Sequence, residues 1–598
     1  MDYRRHRNLA AMFLEQATAK GDRPFLWTKR GGRYESISWR AAAEEVNALA
    51  RGLGAIGIKP GDRVTLVSEN RPKWMIADLG IMAAGAITVP AYVTNTVDDH
   101  RHILANSGSR AVIVSTNALA QRAIPAADQV TTVESVITID PLTQGQVSHV
   151  EIKNWEEVIA LGKAAPDGVA ATLARIARDD VACLIYTSGT GGVPKGVMLS
   201  HANILANCRG AYVLLESIGF GAEVFLCFLP LSHSYEHTAG MMFPISLGAE
   251  IYFAEGAETL GANLQEARPT IMTAVPRLYE TMHQRILRGV EREGGLKAKL
   301  FHKTLALGRK RYDDPRSLGL IERLLNLLLD RLVRSKVRKR FGGRLKAMVS
   351  GGAPLNPEIG RFFLALGVPL LQGYGQTEAS PVVSANPPNR IRIDTVGPPL
   401  EGVEIRIAED GEILVHGELV MKGYWNDPEA TQRAVQDGWL HTGDVGMQDP
   451  DGYIRITDRK RDFIKNSGGD MVSPARVEGY LTLQPEIAQA MVFGDRRPHL
   501  VAVLVPHAEL LERIARAAGA APDLAAFHEN PELLKQVGEG VARVNAELSP
   551  IERVRRFILA REPFSTANGQ MTPTLKIKRH AIRQAYGEAL LKLYEAKT

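Results

Sequence analysis

The chain has 598 residues, which is too long for a single hydrophobic core and predicts two or more domains. Apolar residues make up 45% and charged residues 23%, ordinary values for a globular protein that exclude global disorder. The net charge of +6 is small for this length, so the whole chain does not predict a nucleic-acid-binding protein, although a local basic patch stays open.

Cysteine content and apolar runs predict the cellular setting. Cys183, Cys208 and Cys227 fit no zinc spacing and are too few for a disulfide framework, so we expect a reduced, cytoplasmic setting. The N-terminal residues are basic but lack a long apolar core, so we expect no secretory signal. The longest apolar run, 79–93, is shorter than a bilayer span and contains Pro90, so we expect no membrane-spanning segment.

Short apolar strands alternate with helical patterns in the first part of the chain. This rhythm predicts largely parallel sheets with helices on their faces, an α/β architecture. The predicted elements are a strand at 63–68, a helix at 72–84, a strand at 87–91, a helix at 98–107 and a strand at 111–115.

A glycine- and hydroxyl-rich run follows the apolar strand 184–188 and ends in Lys195. Glycines let backbone N–H groups approach an anion closely, and Lys195 adds a mobile positive charge. A plain flexible turn is the alternative, but hydroxyls, glycines and a lysine are concentrated here within ten residues. The sequence therefore predicts a polyphosphate loop made of Thr187, Ser188, Gly189, Thr190, Gly191 and Lys195.

The P-loop of NTPases does not explain this run. That pattern requires Gly directly before the lysine and Ser or Thr directly after it, whereas Pro194 and Gly196 flank Lys195 here. No GxGxxG follows a strand either, so a dinucleotide-binding fold is not predicted.

The segment 296–345, called here the basic helical segment, is helical in pattern and rich in Lys and Arg. Within it, 320–333 (LIERLLNLLLDRLV) forms one broad apolar face, and the tail RSKVRKR at 334–340 is strongly basic. Two interpretations stay open: a helical hairpin packed on the body with a solvated basic edge, or contact with an anionic membrane surface.

Turn-forming residues dominate 438–469 and suit a boundary between domains. We predict an N-terminal domain over 1–457, a hinge at 458–462 and a C-terminal domain over 463–598.

YTSGTGGVPKGVMLSH (186–201) resembles the phosphate loop of the adenylate-forming superfamily, which includes acyl-CoA synthetases, adenylation domains of peptide synthetases and beetle luciferases. The usual run has Thr where this chain has Gly191, a change that removes one hydroxyl and keeps the flexibility. The resemblance implies a large, multi-lobed N-terminal domain of mostly parallel sheets flanked by helices, and a smaller, mobile α+β C-terminal domain.

Further family elements follow in order. LQGYGQTEAS (371–380) resembles the element whose aromatic residue lies against adenine, whose Thr lies near the α-phosphate and whose Glu binds Mg²⁺. VSGGAPL (349–355) resembles the loop along the adenine and the acyl channel. The resemblance implies Glu378 and Thr190 as the Mg²⁺ ligands. It implies an adenine and ribose site made of Gly351, Gly352, Ala353, Tyr374, Gly375, Thr377, Asp444 and Arg459.

Three elements surround the predicted hinge. In GWLHTGDVG (438–446), the Asp of the family holds both ribose hydroxyls. DRKRDFIKNSGG (458–469) resembles the hinge element, with Arg459 contacting ribose and phosphate and the pivot at Arg461. Lys465, Gly468 and Gly469 match positions on the coenzyme A side. In TPTLKIKR (572–579), the lysine that bridges carboxylate and α-phosphate aligns best with Lys576, and Lys578 is the competitor.

The resemblance implies ATP-dependent activation of a carboxylic acid, followed by transfer to a thiol. The catalytic residues are then Lys576, Glu378, Thr190 and Lys465. LPLSHSYEHTAG (229–240) resembles the element beside the acyl pocket, which implies a pocket of His233, Tyr235, His237 and Gly351. A metal site at the two histidines is the less favoured alternative.

The basic helical segment and TPTLKIKR resemble long-chain acyl-CoA synthetases, so we expect a long-chain fatty acid and coenzyme A as substrates. Alternatives are an acyl-AMP ligase, an aryl- or medium-chain acyl-CoA synthetase, and, from a different class, a non-catalytic nucleotide-binding scaffold at a membrane. The family also implies a homodimer.

Overall fold

The computed structural model describes residues 2–142, 148–187, 193–460, 462–572 and 575–595. The predicted pivot Arg461 and part of the predicted phosphate loop lie outside this range, namely Ser188, Gly189, Thr190 and Gly191.

The first large sheet has eight strands and is parallel except at one edge. Its two faces are buried in different apolar clusters: Cys183 and Ile185 join one cluster, Leu184 and Tyr186 the other. Continuous burial is what a parallel sheet covered by helices on both faces requires. Its strands in spatial order are Gly423–Tyr424, Lys195–Ser200, Val181–Thr187, Ile87–Ala91, Arg63–Val67, Ala111–Val114, Ser135–Thr138 and Glu151–Asn154.

The second large sheet also has eight strands and is antiparallel only at its two edges. Its strands in spatial order are Val382–Ala385, Leu370–Gly375, Ala347–Ser350, Ile271–Ala274, Val224–Cys227, Glu250–Phe253, Pro24–Arg30 and Arg33–Ser38. The predicted α/β class is confirmed, and the predicted elements between 63 and 115 end within one residue of the observed ones.

A third, five-stranded sheet differs from the other two because its neighbouring strands are antiparallel. It carries the segment predicted as turn-rich, since Trp439–Gln448 is one long strand within it. Its other strands are Glu404–Ile407, Glu412–His416, Val435–Gln436 and Ile454–Arg459.

Helices cover the sheets of the N-terminal part, and several begin at side-chain caps such as Ser38, Thr96 and Ser200. The α-helices before residue 460 are Leu9–Lys20, Trp39–Ala55, Pro72–Ala83, Val97–Ser107, Asn117–Ala127, Trp155–Ala164, Val169–Arg175, His201–Leu215, Phe243–Leu247, Leu260–Ala267, Pro276–Glu293, Gly295–Asp313, Leu320–Leu329, Ser335–Arg340, Pro357–Ala365 and Pro428–Ala434. Two π-helical stretches, Glu236–Met242 and Asp330–Arg334, interrupt them.

The C-terminal part has its own apolar cluster, drawn from residues 464–590. The C-terminal part contains a two-stranded ribbon, formed by Ile464–Lys465 and Met471–Val472, and a separate three-stranded sheet. The sheet strands are Ile487–Phe493, Leu500–Pro506 and Val554–Leu559, and the helices are Pro474–Leu481, Ala508–Ala517, Leu524–Phe527, Pro531–Glu547 and Arg579–Glu595. A separate core fits the predicted second domain, whose boundaries stay a prediction.

The basic helical segment packs on the body as a helical unit, with one difference from the sequence prediction. Arg334, expected on a solvated basic edge, is 5% exposed. Its guanidinium donates hydrogen bonds to the carbonyls of Thr304, Asn326 and Ala365, so it ties the segment to the helix Pro357–Ala365. Across the described residues, we find no helix with the length and hydrophobicity to cross a membrane.

Candidate active site

Asp444 holds two of the predicted nucleotide-binding residues together. The Tyr374 hydroxyl donates a 2.6 Å hydrogen bond to Asp444 Oδ2, and Arg459 Nε lies 3.3 Å from Oδ1. The register that pairs Asp444 with Arg459 on neighbouring strands of the third sheet explains their contact. Burial raises the pKa of Asp444, although the Arg459 charge opposes the rise. A carboxylate between a phenol and a guanidinium suits the recognition of a diol such as ribose.

The segment around Tyr374 leaves no room for larger residues. A Cβ at Gly375 would stand 1.9 Å from the carbonyl oxygen of Pro381, so only glycine fits there. Next to it, Thr377 Oγ1 lies 2.9 Å from Ser234 Oγ in a buried contact that links 371–380 to the predicted acyl-pocket element.

Lys195 and Glu378 meet through two residues that the sequence reasoning missed, Tyr424 and Asp427. Lys195 Nζ lies 2.9 Å from Asp427 Oδ2 and 5.2 Å from the centre of the Tyr424 ring. The Tyr424 hydroxyl donates a 2.9 Å hydrogen bond to Glu378 Oε1. The strand Gly423–Tyr424 brings them there by pairing with Lys195–Ser200 at the sheet edge. The only sequence signal was an aromatic turn, GYWNDP, before a helix.

Lys576 reaches this region from the C-terminal part. Two hydrogen bonds hold its backbone: its carbonyl accepts from the Thr572 N–H and its N–H donates to Thr572 Oγ1. Burial, followed by the positive charge of Arg459, lowers the pKa of Lys576 to about 8, and Asp444 opposes this shift. Lys576 therefore lies within electrostatic range of the residues that hold Tyr374.

His233 and Tyr235 lie on the same side of the site. Burial and the charge of Lys576 lower the pKa of His233 to about 3, and its Nδ1 accepts a 3.1 Å hydrogen bond from the Tyr235 N–H, so the imidazole is neutral. The Tyr235 hydroxyl donates to the Val349 carbonyl, and a Cβ at Gly351 would stand 3.0 Å from the Tyr235 ring. Gly352 and Ala353 follow, both partly exposed.

His237 is separated from this group. Its Nε2 lies 3.0 Å from Asp78 Oδ2, both side chains are fully buried, and Trp74 packs edge-on against the ring. The structure thus gives the His237 side chain a core contact with Asp78, although its backbone N–H donates to the His233 carbonyl; a pocket role for it stays a prediction. In the part of the chain that is described, no group of three or more His, Cys, Asp or Glu forms a metal cluster.

The predicted coenzyme A side faces solvent. Lys465, Gly468 and Gly469 are exposed on the two-stranded ribbon and the turn within it. Lys576 therefore interacts electrostatically with two of the predicted nucleotide-binding residues, Arg459 and Asp444, whereas Lys465 is exposed to solvent.

Glu378 fits a magnesium ligand. It is partly exposed, one oxygen accepts from a neutral phenol, and no ion pair to it occurs within the described residues. Mg²⁺ is commonly bound by one or two carboxylates together with substrate phosphates, so a multi-carboxylate cluster is not required.

Comparison with known families identifies the family of this chain. Residues 13–425 match the family described as AMP-binding enzyme, and residues 461–598 match the AMP-binding enzyme C-terminal domain. The chain belongs to the AMP-binding enzyme family. The family predicted from the ordered motifs is therefore confirmed.

Relatives in the AMP-binding enzyme family cover nearly the whole chain. The chain is 32% identical over 602 residues to the long-chain-fatty-acid–CoA ligase FadD15 of Mycobacterium bovis, which spans 98% of this chain and 97% of the relative. It is 30% identical over 590 residues to the peroxisomal long chain acyl-CoA synthetase 6 of Arabidopsis thaliana, spanning 94% and 82%.

A solved structure shows the same fold. The adenylation domain of a carboxylic acid reductase from Segniliparus rugosus, in complex with AMP and a co-purified carboxylic acid, superposes with a TM-score of 0.79. The match spans 99% of this chain and 94% of that chain at 24% identity, so it supports the fold of this AMP-binding enzyme.

Proposed function

We propose that this chain is an AMP-forming long-chain fatty acid–CoA ligase. It joins a fatty acid to the α-phosphate of ATP, releases pyrophosphate, and then transfers the acyl group to coenzyme A with release of AMP. The observation that carries the proposal is Lys576, a partly exposed lysine of the C-terminal part that interacts electrostatically with Arg459 and Asp444 and whose pKa is lowered to about 8. Full-length similarity to long-chain-fatty-acid–CoA ligases supports the acid and the acceptor.

In the first half reaction, a carboxylate oxygen forms a bond to the α-phosphorus and the bond to the leaving pyrophosphate breaks. Two anions must meet, so alignment and charge compensation are the main tasks. Asp444 and Arg459 hold the ribose, Lys195 and the loop hydroxyls including Thr190 hold the outer phosphates, and Lys576 bridges the two reacting groups.

Glu378, with Thr190, holds Mg²⁺, which neutralises phosphate charge when bound. In the second half reaction the thiol sulfur of coenzyme A attacks the acyl carbon, and AMP leaves. We propose that the C-terminal part first rotates about Arg461, which withdraws Lys576 and brings Lys465, Gly468 and Gly469 to the adenylate.

A pyrophosphate-release assay with ATP, Mg²⁺ and palmitate, octanoate or benzoate, with and without coenzyme A, tests this proposal. We expect the fastest release with palmitate and a palmitoyl thioester as product. Release without a thioester would instead indicate an acyl-AMP ligase, and preference for octanoate or benzoate a different acid. No release with any carboxylate would indicate the non-catalytic scaffold.

The pH dependence of the first half reaction is expected to follow Lys576. Only the ammonium form can bridge two anions, and its pKa in the free enzyme is lowered to about 8. The group is protonated below that pH, so kcat/KM for palmitate-dependent ATP–pyrophosphate exchange should fall as pH rises through about 8. The residual activity of Lys576→Arg should lack this fall, because a guanidinium keeps its proton. If Lys576→Arg shows the same fall with pH as the unchanged enzyme, Lys576 is not the titrating group.

Removing the Tyr424 hydroxyl is expected to raise the Mg²⁺ concentration needed for half-maximal exchange. Tyr424→Phe keeps the ring beside Lys195 and deletes the hydrogen bond that orients Glu378. Hydrogen bonds to charged groups contribute about 1.5–3 kcal/mol, so we expect a shift of at least about tenfold in a Mg²⁺ titration at fixed ATP.

Tyr453→Phe is the matched control for this change. The Tyr453 hydroxyl donates to the carbonyl of Arg390, and the Tyr453 ring packs under the Arg390 and Arg392 side chains. The control should leave the Mg²⁺ titration unchanged. An equal shift in both variants, or no shift in Tyr424→Phe, would remove Tyr424 from the magnesium site.

We also propose a cytoplasmic location, peripheral contact with anionic membranes and a homodimer. The first rests on the three buried free cysteines and the last on the family resemblance alone. Light scattering of the purified chain tests the dimer.

A further inference from the structure

Six large aliphatic side chains stand exposed on one helical stretch of the basic helical segment. We call them the leucine stripe; they are Leu320, Ile321, Leu324, Leu327, Leu328 and Leu332. Their exposed fractions run from 82% at Ile321 to 43% at Leu332. Single exposed leucines are ordinary on protein surfaces, but a contiguous apolar patch marks an interaction site.

The spacing places the stripe on one face. Its members are separated by one, three or four positions, which keeps them on the same side of a helix. The opposite side holds Leu329, which is fully buried against Leu307 and Leu318. The stretch therefore has two apolar sides. One packs on the body of the protein, and the other, the leucine stripe, faces solvent.

The stripe is held firmly on the body of the protein. Arg334 follows it and donates to three backbone carbonyls, and Phe341 packs into the cluster around Tyr279 and Phe363. These contacts hold the helical stretch in its orientation on the body of the protein. The leucine stripe therefore faces solvent as part of the folded structure.

Positive charge surrounds the stripe. The basic helical segment contains fifteen Lys and Arg and four Asp and Glu, a net charge of +11 where the whole chain carries +6, so the rest of the chain is net negative. The two acids next to the stripe are already paired: Glu322 with Lys310, and Asp330 with Arg338. Lys336, Lys339 and Arg340 remain exposed at its end.

We propose that the leucine stripe is the surface by which this protein docks on an anionic lipid bilayer, with its apolar side chains in the acyl boundary and the surrounding cations among the headgroups. An apolar face flanked by cations is the arrangement of helices that lie in a membrane interface. A second copy of this chain fits less well, because two segments of charge +11 would repel each other.

The surface itself does not depend on the proposed function. Only the advantage of docking rests on the proposal that the substrate is a long-chain fatty acid. A long-chain acid partitions into bilayers, so an enzyme held there meets its substrate at high local concentration. The sequence alone pointed to the charges of 334–340. The structure moves the emphasis to the leucines, since Arg334 is buried and Arg338 is paired.

Vesicle flotation of the full chain tests the docking without ATP or fatty acid. Vesicles of phosphatidylcholine alone are compared with vesicles that also contain phosphatidylglycerol. We expect binding to the mixed vesicles, weakened about tenfold or more by Leu324→Ser with Leu328→Ser, because both side chains would leave the bilayer. Lys336→Gln, Lys339→Gln and Arg340→Gln together should weaken it by a similar factor and reduce its salt sensitivity.

Matched controls make the result specific. Val213→Ser with Ile551→Ser removes two apolar side chains of 45% and 42% exposure outside the segment, and Lys163→Gln with Lys535→Gln removes exposed charges elsewhere; all should bind as the unchanged chain. Unchanged binding of the leucine variant overturns the proposal. So does a dimer in light scattering that this variant dissociates while the unchanged chain ignores vesicles.

Failure of the docking is distinguishable from failure of the proposed function. Pyrophosphate release with a micelle-free, short-chain acid in the absence of vesicles should be the same for the leucine variant and the unchanged chain. If the leucine variant releases no pyrophosphate while the unchanged chain does, the variant is misfolded. This assay is therefore carried out before the flotation experiment.

Discussion

Lys576→Ala is expected to abolish formation of the acyl-adenylate and to leave thioester formation from supplied acyl-adenylate largely intact. Lys576 is a partly exposed lysine of the C-terminal part that interacts electrostatically with Arg459 and Asp444, the region where we propose that the two anions meet. Removing one donor that stabilises developing charge costs about 10²–10³-fold in rate, and a bridging ammonium should cost at least that. The second half reaction no longer needs this charge, because the α-phosphate bond has already formed.

Two assays separate the half reactions. Palmitate-dependent ATP–pyrophosphate exchange reports the first, and conversion of synthetic palmitoyl-adenylate to palmitoyl-CoA reports the second. Lys578→Ala is the matched control, since Lys578 lies two positions further on and bonds through its backbone: its N–H donates to the Gln570 carbonyl, and its carbonyl accepts from the N–H groups of Ala581 and Ile582. Equal loss in both assays, or a larger loss at Lys578, would refute the role of Lys576.

Arg579→Ala is expected to destabilise the C-terminal part by about 3–5 kcal/mol, because it leaves a buried carboxylate without its cation. Both guanidinium Nη atoms donate 2.6 Å hydrogen bonds to the two oxygens of Glu478. Glu478 is 8% exposed and also accepts from the Val492 N–H on the central sheet of this part. Arg579 begins the last helix three positions after Lys576, so its loss should also weaken exchange activity.

Hydrogen exchange measured by mass spectrometry on the strands 487–493 and 500–506 gives the local stability, which a single whole-chain transition would not. Arg476→Ala is the control: Arg476 pairs with Glu552 but is 55% exposed, so about 1 kcal/mol or less is expected. Arg579→Met with Glu478→Leu should restore much of the protection, because neither member of this ion pair is then left buried without its partner. Equal effects of Arg579→Ala and Arg476→Ala would show that burial of Glu478 does not matter.

Local pattern was enough for the family and much of the fold. The motifs around Lys195, Glu378, Asp444 and Lys576 could be placed in order because each is a short run with fixed chemistry. The alternation between 63 and 115 gave its strands and helices within a residue, since continuous apolar strands and helical stretches carry their own signals.

Contacts between distant positions could not be predicted. Tyr424 reaches Glu378 only because a two-residue strand adds to the sheet edge beside Lys195, and a pair of residues carries no strand pattern. The burial of Arg334 depends on carbonyls of other helices, so its sequence neighbours suggested a solvated charge instead. The contact of His237 with Asp78 likewise could not be predicted, because the two residues lie 159 positions apart.

The opposite placement of Lys465 and Lys576 sets a kinetic order. Lys576 interacts electrostatically with Arg459 and Asp444 while Lys465 is exposed, so under the roles we propose for them the enzyme carries out one half reaction at a time. Raising coenzyme A therefore cannot hasten the attack on ATP, and pyrophosphate must depart before the thiol acts. Steady-state rates should give parallel double-reciprocal lines when ATP and coenzyme A are varied against each other. This is the pattern of ping-pong kinetics, in which one product leaves before the next substrate reacts.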